Sequence, residues 1–311
     1  MKKIDLSKIK TYSLKDRPSK VRVDEFAKPH AKGRKFVDFF NSLPDILGSQ
    51  HLKEVAAAIV QARKDNCPVM LAMGAHAIKV GLNPVIIDLL ERKIVTSLSV
   101  NGACVIHDFE LALCGGTSED VDKEILSGQF GMAEETGRMI NEVVKATAGK
   151  GTGIGEVVGK LIQAGNFPHK DKSLLAACGR LNIPVTAHIA IGTDIIHMHP
   201  SFDGAATGAA CQRDFEKFCG IVSELEGGVF INLGSAVLLP EVFLKAVTLA
   251  RNTGSDIRHF TTVNMDFIQH YRPNANVVRR PTQGGGRGYA LTGHHEIMLP
   301  LLAAAVIEQM E

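Results

Sequence analysis

The sequence predicts an α/β protein built on a doubly wound parallel sheet, and three observations predict it. Short apolar runs alternate with amphipathic helical stretches, the pattern of successive βαβ units. Glycine follows several of those runs, at Gly74, Gly102 and Gly234, where a strand gives way to a tight turn. The interval between neighbouring runs, as from Met73 to Val95, is long enough for the crossover that a parallel pair requires.

The central stretch runs from Cys67 to Gly116. Val69 to Met73 and Val95 to Val100 read as buried strands, with Asn83 to Arg92 as the amphipathic helix between them. In open parallel sheets ligands gather at the carboxyl ends of strands, so the turns Gly74-Ala75-His76 and Asn101-Gly102-Ala103 fall where chemistry is expected. Ahead of this stretch, residues 1–34 are polar, basic and aperiodic and read as an N-terminal arm, which leaves 35–311 as a single domain. Phe36 to Leu43 reads as a short helix, and His51 to Asn66 as a longer one with Val55, Ile59 and Ala62 on one face.

Beyond Ser118 the periodicity is helical as far as Gly165, broken by Gly128, Gly131 and the cluster Gly149, Gly151, Gly153, Gly155. That cluster lacks the GxGxxG spacing and follows a helical stretch where a strand is required. It therefore reads as a mobile loop leading into a helix from Glu156 to Ala164. Ser173 to Leu181 is a helix ended by Asn182-Ile183-Pro184, and Val185 to Ile191 is a strand. Asp214 to Leu225 is helical, Gly228 to Leu233 a buried strand with Gly234-Ser235-Ala236 as its turn, Pro240 to Arg251 a helix and Ile257 to Val263 a strand. The chain closes with the glycine loop Gly284-Gly285-Gly286 and the apolar helix Ile297 to Met310, in which Pro300 suits the first turn.

Composition narrows the function. Of 311 residues 45% are hydrophobic and 22% charged, values of an ordinary globular chain. A net charge of +2 removes the general electrostatic case for nucleic acid or a membrane surface as partner. The six cysteines contain no CxxC pair, which argues against a zinc knuckle or a thioredoxin-like motif and for reduced thiols in the cytoplasm. The N-terminal lysines precede no apolar segment, and no run approaches the roughly 18 residues of a membrane helix. A cytoplasmic protein acting on a small molecule is the expectation.

Five stretches, GAHAIKVGLNPVIIDLLERKIV, VNGACVIHD, LNIPV, GGVFINLGSAV and YALTGHHEIMLPLLAAAVIE, resemble the deoxyhypusine synthase family between about Cys67 and Ile307. The resemblance implies a Rossmann-like NAD-binding fold, NAD as cofactor and a homotetramer. The family oxidises spermidine with NAD and transfers its aminobutyl group to a lysine. The departures are chemical. Leu239 and Pro240 stand where the family has its active lysine and that residue's neighbour. His107 replaces a glutamate, though Asp108 keeps the next acid, and Gly192 and His197 replace two aspartates. The polyamine-packing tryptophan has no counterpart in a chain without Trp, and Arg279 falls near its place. A leucine cannot form an imine, so a true deoxyhypusine synthase is not expected.

The expected site follows. Cofactor contacts fall on Gly74, Ala75, His76, Asn101, Gly102, Gly234, Ser235, Gly285 and His294, since small residues at strand ends let backbone approach a ligand. An empty site, or one for a different nucleotide, is the alternative. His107 is the expected general base with Asp108 orienting it, joined by His197. Asp194, Arg279 and Arg287 are expected to bind substrate. Arg and His in place of acids favour an anionic group. No metal is expected, the alternative being a site made by His188, His197 and His199. The function readings are an NAD-dependent oxidation or transfer on a small, anionic substrate; a homospermidine synthase-type aminobutyl transfer with Lys79 or Lys245 as the lysine; and a non-catalytic nucleotide-binding or assembly protein.

Overall fold

The computed structural model describes residues 2–310. Residues 2–34 form three short 3-10 turns and are almost wholly exposed. They are tied to the body where Lys28 N donates to Ser42 O and Asp45 N to Glu25 O, each at 2.9 Å. Helices α1 (Phe36–Ser42) and α2 (Leu47–Lys64) lead into strand β1 (Val69–Met73). There follow the short α3 (His76–Lys79), α4 (Asn83–Glu91), β2 (Ser97–Asn101) and α5 (Gly102–Cys114). The helical insertion is α6 (Val121–Ser127), α7 (Glu134–Thr147), α8 (Ile154–Ala164) and α9 (Leu174–Leu181). Strand β3 (Val185–His188), α10 (Gly204–Val222), β4 (Val229–Leu233), α11 (Leu238–Asn252) and β5 (Thr261–Asp266) come next. The chain closes with α12 (Tyr271–Pro273), continued as a π-helical turn over Asn274–Arg279, then β6 (Arg287–Thr292) and α13 (His295–Ile307).

All six strands are parallel, in the order β3-β2-β1-β4-β5-β6. The chain winds outward from β1 to β3 and then returns to β4 beside β1, so the direction reverses between β1 and β4. In open parallel sheets ligands bind at the carboxyl ends of the strands flanking such a reversal. β1 and β4 are buried throughout, and β1 shows why its sequence is a near-continuous apolar run. Val69, Leu71 and Met73 enter the larger core cluster, while Met70 and Ala72 enter a second one with Phe218, Phe230 and Phe243. The period-two alternation of a strand thus supplies both faces.

Several boundaries differ from the sequence reading. β3 stops at His188 instead of Ile191, and β5 lies further along than Ile257 to Val263, because Ile257 and Phe260 are buried in the approach to the strand. α10 starts already at Gly204, where small residues carry the helix without an apolar stripe. Strand β6 has no strong apolar run to announce it and was not expected. The glycine cluster does lead into a helix, and the start of α8 is closed by a carboxylate. Asp214 of α10 accepts from Gly155 N at 3.1 Å and Ala187 N at 3.0 Å, and no Cβ could be added at Gly153 without striking it. A phosphate has no place there. Among the described residues no helix is long and apolar enough to cross a membrane.

Candidate functional site

At the switch point two glycine turns touch. Gly74 N donates to Leu233 O at 2.9 Å and Gly234 N to Met265 O at 3.0 Å. A Cβ on Gly74 would come within 2.5 Å of Gly234 O, and Gly234 has φ +67°, so both positions need the missing side chain. Ala75 is buried at the start of α3, and His76, which opens that helix, is exposed. Ser235 is buried and its Oγ accepts from Leu239 N at 3.2 Å.

His295 lies on Gly234: a Cβ there would sit 3.2 Å from its Nε2 and 3.3 Å from its Nδ1. This ring is 1% exposed and neither nitrogen makes a hydrogen bond of ordinary geometry. Asp266 Oδ1 is 3.7 Å from Nε2, and the His76 ring is centred 5.3 Å away. Burial lowers the pKa of His295, with Asp266 opposing that shift. His294, the expected cofactor residue, is instead exposed and stacked on Phe267 at 6.1 Å.

On the other side of β1, a cavity of about 150 Å³ opens at the ends of β2 and β3, with Lys79, His107, Glu110, Glu119, Thr193 and Asp194 in its wall. Asn101 caps α5, its Oδ1 accepting from Cys104 N at 3.0 Å. Over that same helix start lies the Asp194 carboxylate, and a Cβ on Gly102 would come within 2.6 Å of its Cγ. Burial raises the Asp194 pKa to about 6. His107 Nδ1 donates to Thr117 Oγ1 at 2.6 Å, and that hydroxyl donates to Glu110 Oε2 at 2.5 Å. Burial pushes Glu110 up, but the nearby His107 ring, 3.8 Å away, and hydrogen bonds from Thr117 and Thr136 bring it below its ordinary value.

The expected base and orienter are therefore not a pair. Asp108 is buried and accepts from Asn83 Nδ2 at 3.2 Å, Ser173 Oγ at 2.6 Å, Leu174 N at 2.8 Å and Leu175 N at 3.0 Å. It closes the start of α9. Adjacent residues of a helix do not face the same way, whereas residues three apart do, so His107 meets Glu110 and not Asp108. That spacing was present in the sequence and could have found Glu110. His197 has its Nδ1 accepting from Gly192 N at 3.0 Å and Asp194 N at 3.2 Å, with Nε2 3.9 Å from Asp194 Oδ2. It shapes the loop that carries Asp194.

Three further expected residues lie at the wrong edge of the sheet. Arg287 opens β6 opposite Thr261, the first residue of β5. Gly285, with φ +126°, packs on His259, which precedes β5. Arg279 ends the descending crossover, where the neighbouring Val277 O accepts from Thr262 Oγ1 at 2.7 Å. A loop that precedes a parallel strand sits at its amino end, so these groups cannot line a site at the carboxyl ends of the same chain. The metal alternative also separates. His188 is buried with Nε2 3.1 Å from Thr186 Oγ1, and His199 lies between Ser201 Oγ at 2.7 Å and Glu134 Oε2 at 3.1 Å. Among the described residues no group of three or more His, Cys, Asp or Glu is arranged to hold a metal.

Without the arginines, the cavity wall carries Glu110, Glu119 and Asp194 against Lys79. Its field favours a cation, opposite to the anion expected from sequence. A nucleotide fits one part of the expected cofactor set and not another. The start of α5 is filled by Asn101 and Asp194, so Asn101 and Gly102 offer nothing to a phosphate. The start of α11 is met by Ser235 Oγ, whereas α13 begins at His294 with no hydrogen bond from the capping side chain, and such a helix start favours an anion. With the Gly74 and Gly234 turns and the His295 ring, it suits a dinucleotide on the β1, β4 and β6 side.

No family model matches the sequence, and no curated protein matches it. Solved structures do. AgrE, in a ternary complex with ornithine and NAD+, superposes with a TM-score of 0.54 at 17% identity over 83% of this chain and 33% of its own. The conserved LOR/SDH protein from Methanococcus maripaludis S2 gives 0.53 at 15% identity, over 85% of this chain and 71% of that one. A protein assigned as deoxyhypusine synthase from Entamoeba histolytica gives 0.52 at 12% identity, over 92% and 97%. This chain thus spans about a third of AgrE and nearly all of the Entamoeba protein. It shares with them one α/β fold, the parallel Rossmann-like sheet found in deoxyhypusine synthase and the LOR/SDH proteins.

Proposed function

We propose that this chain is an NAD-dependent enzyme of the deoxyhypusine synthase-type fold that oxidises, or transfers a group from, a small amine-bearing substrate. The observation that carries this reading is the cavity in which Asp194, Glu110 and Glu119 face Lys79 beside the switch point. Such a wall suits a zwitterion: the carboxylates take an ammonium group and Lys79 a carboxylate. The complex of AgrE with ornithine and NAD+ supports the same pairing of ligands. Bound NAD would accept a hydride. His107 gives its Nδ1 proton to Thr117, which leaves Nε2 as the nitrogen able to take a substrate proton.

Deoxyhypusine synthesis is not part of the proposal, because Leu239 is 1% exposed and packed in the second core cluster. Lys245 is exposed and paired with Glu241 on α11, which speaks against it as a substitute. The homotetramer belongs to the same reading. The arm exposes Ile4, Leu6, Ile9, Tyr12, Leu14 and Phe26, apolar groups that a second copy could cover, in the cytoplasm as the reduced thiols suggest. The test is calorimetry with NAD+ followed by ornithine, spermidine and a dicarboxylate. Heat for NAD+, then reduced-nicotinamide absorbance with an amino-acid amine, is expected. No heat for NAD+ at millimolar concentration, or turnover of the dicarboxylate alone, overturns it.

A further inference from the structure

Among the described residues His295 stands out on the carboxyl edge, because neither of its ring nitrogens is satisfied there. Its ring is buried and neither nitrogen makes a hydrogen bond of ordinary geometry, the Met265 carbonyl beside it giving only a loose contact, and a buried polar group in that state is uncommon and costly. It caps nothing and stands 3.7 Å from Asp266 Oδ1, outside ordinary hydrogen-bond range. Even so it is held firmly. Gly234 lies against one side, and the rings of His76 and Phe267 cross it at 66° and 61° with centroids 5.3 and 6.0 Å away. Asp266 is itself buried, with Oδ1 accepting from Phe267 N at 2.8 Å.

We propose that His295 and Asp266 form a ligand-recognition dyad at the switch point, whose unsatisfied ring nitrogens pair with a neutral hydroxyl or amide group of the bound nucleotide. The proposal rests on the NAD reading above. A neutral imidazole has one donor and one acceptor nitrogen, and a hydroxyl or a carboxamide offers the matching acceptor and donor. The titratable groups facing the ring are Asp266 from β5, His76 from α3 and Glu296 from its own helix. The Asp266 carboxylate beside the ring repels a phosphate, which the uncapped start of α13 suits better. The fixed ring is preorganised, so binding need not order it.

Two variants of the full chain test this, H295L and H295Q, by thermal melting without ligand and by calorimetry with NAD+ and with ADP-ribose. H295L removes an unsatisfied polar group at similar volume and should melt higher than wild type without ligand. Its NAD+ affinity should fall about tenfold or more, and H295Q should recover part of it. Equal weakening for NAD+ and ADP-ribose assigns the dyad to a ribose hydroxyl, and weakening for NAD+ alone assigns it to the carboxamide that ADP-ribose lacks. NAD+ affinity of H295L equal to wild type overturns the dyad. So does a lower ligand-free melting temperature, since the ring would then be a structural support. Wild-type protein that binds neither nucleotide overturns the NAD reading and the dyad with it, whereas nucleotide binding that H295L leaves intact overturns the dyad alone.

Discussion

The carboxylate of Asp194 rests on the Cα of Gly102, so that a Cβ there would lie 2.6 Å from Asp194 Cγ. A glycine expected to admit a phosphate admits a side-chain anion instead, and the start of α5 stabilises it. Gly102→Ala should displace Asp194, cost about 1–3 kcal/mol in stability and weaken an amine substrate about tenfold or more, while leaving NAD+ affinity unchanged. Calorimetry with each ligand checks this. Because burial raises Asp194 to about 6, amine affinity in the wild type should also fall as pH drops through 6 and the carboxylate protonates. Loss of NAD+ binding in Gly102→Ala would instead put the nucleotide at α5.

Asp108→Asn should behave as a structural lesion. The carboxylate accepts four hydrogen bonds, two of them from the backbone of α9. An amide in its place turns a donor toward donors, and the expected cost is about 2–4 kcal/mol. Melting temperature should drop, and whatever protein remains folded should keep its ligand affinities. A fully stable Asp108→Asn with selectively lost turnover would return Asp108 to the catalytic role expected from sequence.

What could be read in advance follows from range. β1, α4 and α9 were legible because local periodicity and caps specify them, as with Ser173 Oγ accepting from Ala176 N at 3.0 Å. The turns at Gly74 and Gly234 were legible for the same reason. Asp108 and Asp214 were not, since each closes a helix that lies 50 to 70 residues away in sequence. Arg279, Gly285 and Arg287 were misplaced for a topological reason: with β6 unrecognised, the glycine loop could not be seen to precede a strand. His295 could be read as one of several histidines at the strand-end edge, but its approach to Asp266 could not, because a spacing across two elements sets it.

His188 fixes an acid-side prediction. It is buried against Thr186 and Phe218, and burial lowers its pKa to about 4. The native ring stays neutral while an unfolded one, near 6.5, takes up a proton. Between pH 6.5 and 4 the unfolded state therefore binds more protons, and stability falls as pH falls, by up to about 3 kcal/mol at about 1.4 kcal/mol per tenfold change. Asp214, raised to about 6 by burial, acts in the opposite direction: its native form binds a proton first, so lowering pH from 6 toward 3.8 adds stability. Denaturant titrations should show a shallower acid-side loss for His188→Gln than for wild type. An identical slope would mean that His188 is protonated in the native state.

Leu239 decides whether aminobutyl transfer can be introduced. By the resemblance to deoxyhypusine synthases it stands where those proteins carry their active lysine, yet it packs with Phe243 and Phe230 in the second core cluster at 1% exposure. An ammonium there would lose its hydration among apolar side chains. Burial of that kind either costs several kcal/mol or drives the lysine to its neutral form. Leu239→Lys should therefore melt well below wild type, and borohydride should trap no adduct on it from spermidine and NAD+. Wild-type protein should likewise transfer no label from spermidine to an acceptor lysine, since Lys245 pairs with Glu241 on the exposed face of α11. A stable Leu239→Lys variant that carries a trapped adduct at the substituted position would show that this segment of α11 can turn its side chain toward the switch point. The single leucine would then be what separates this protein from aminobutyl transfer.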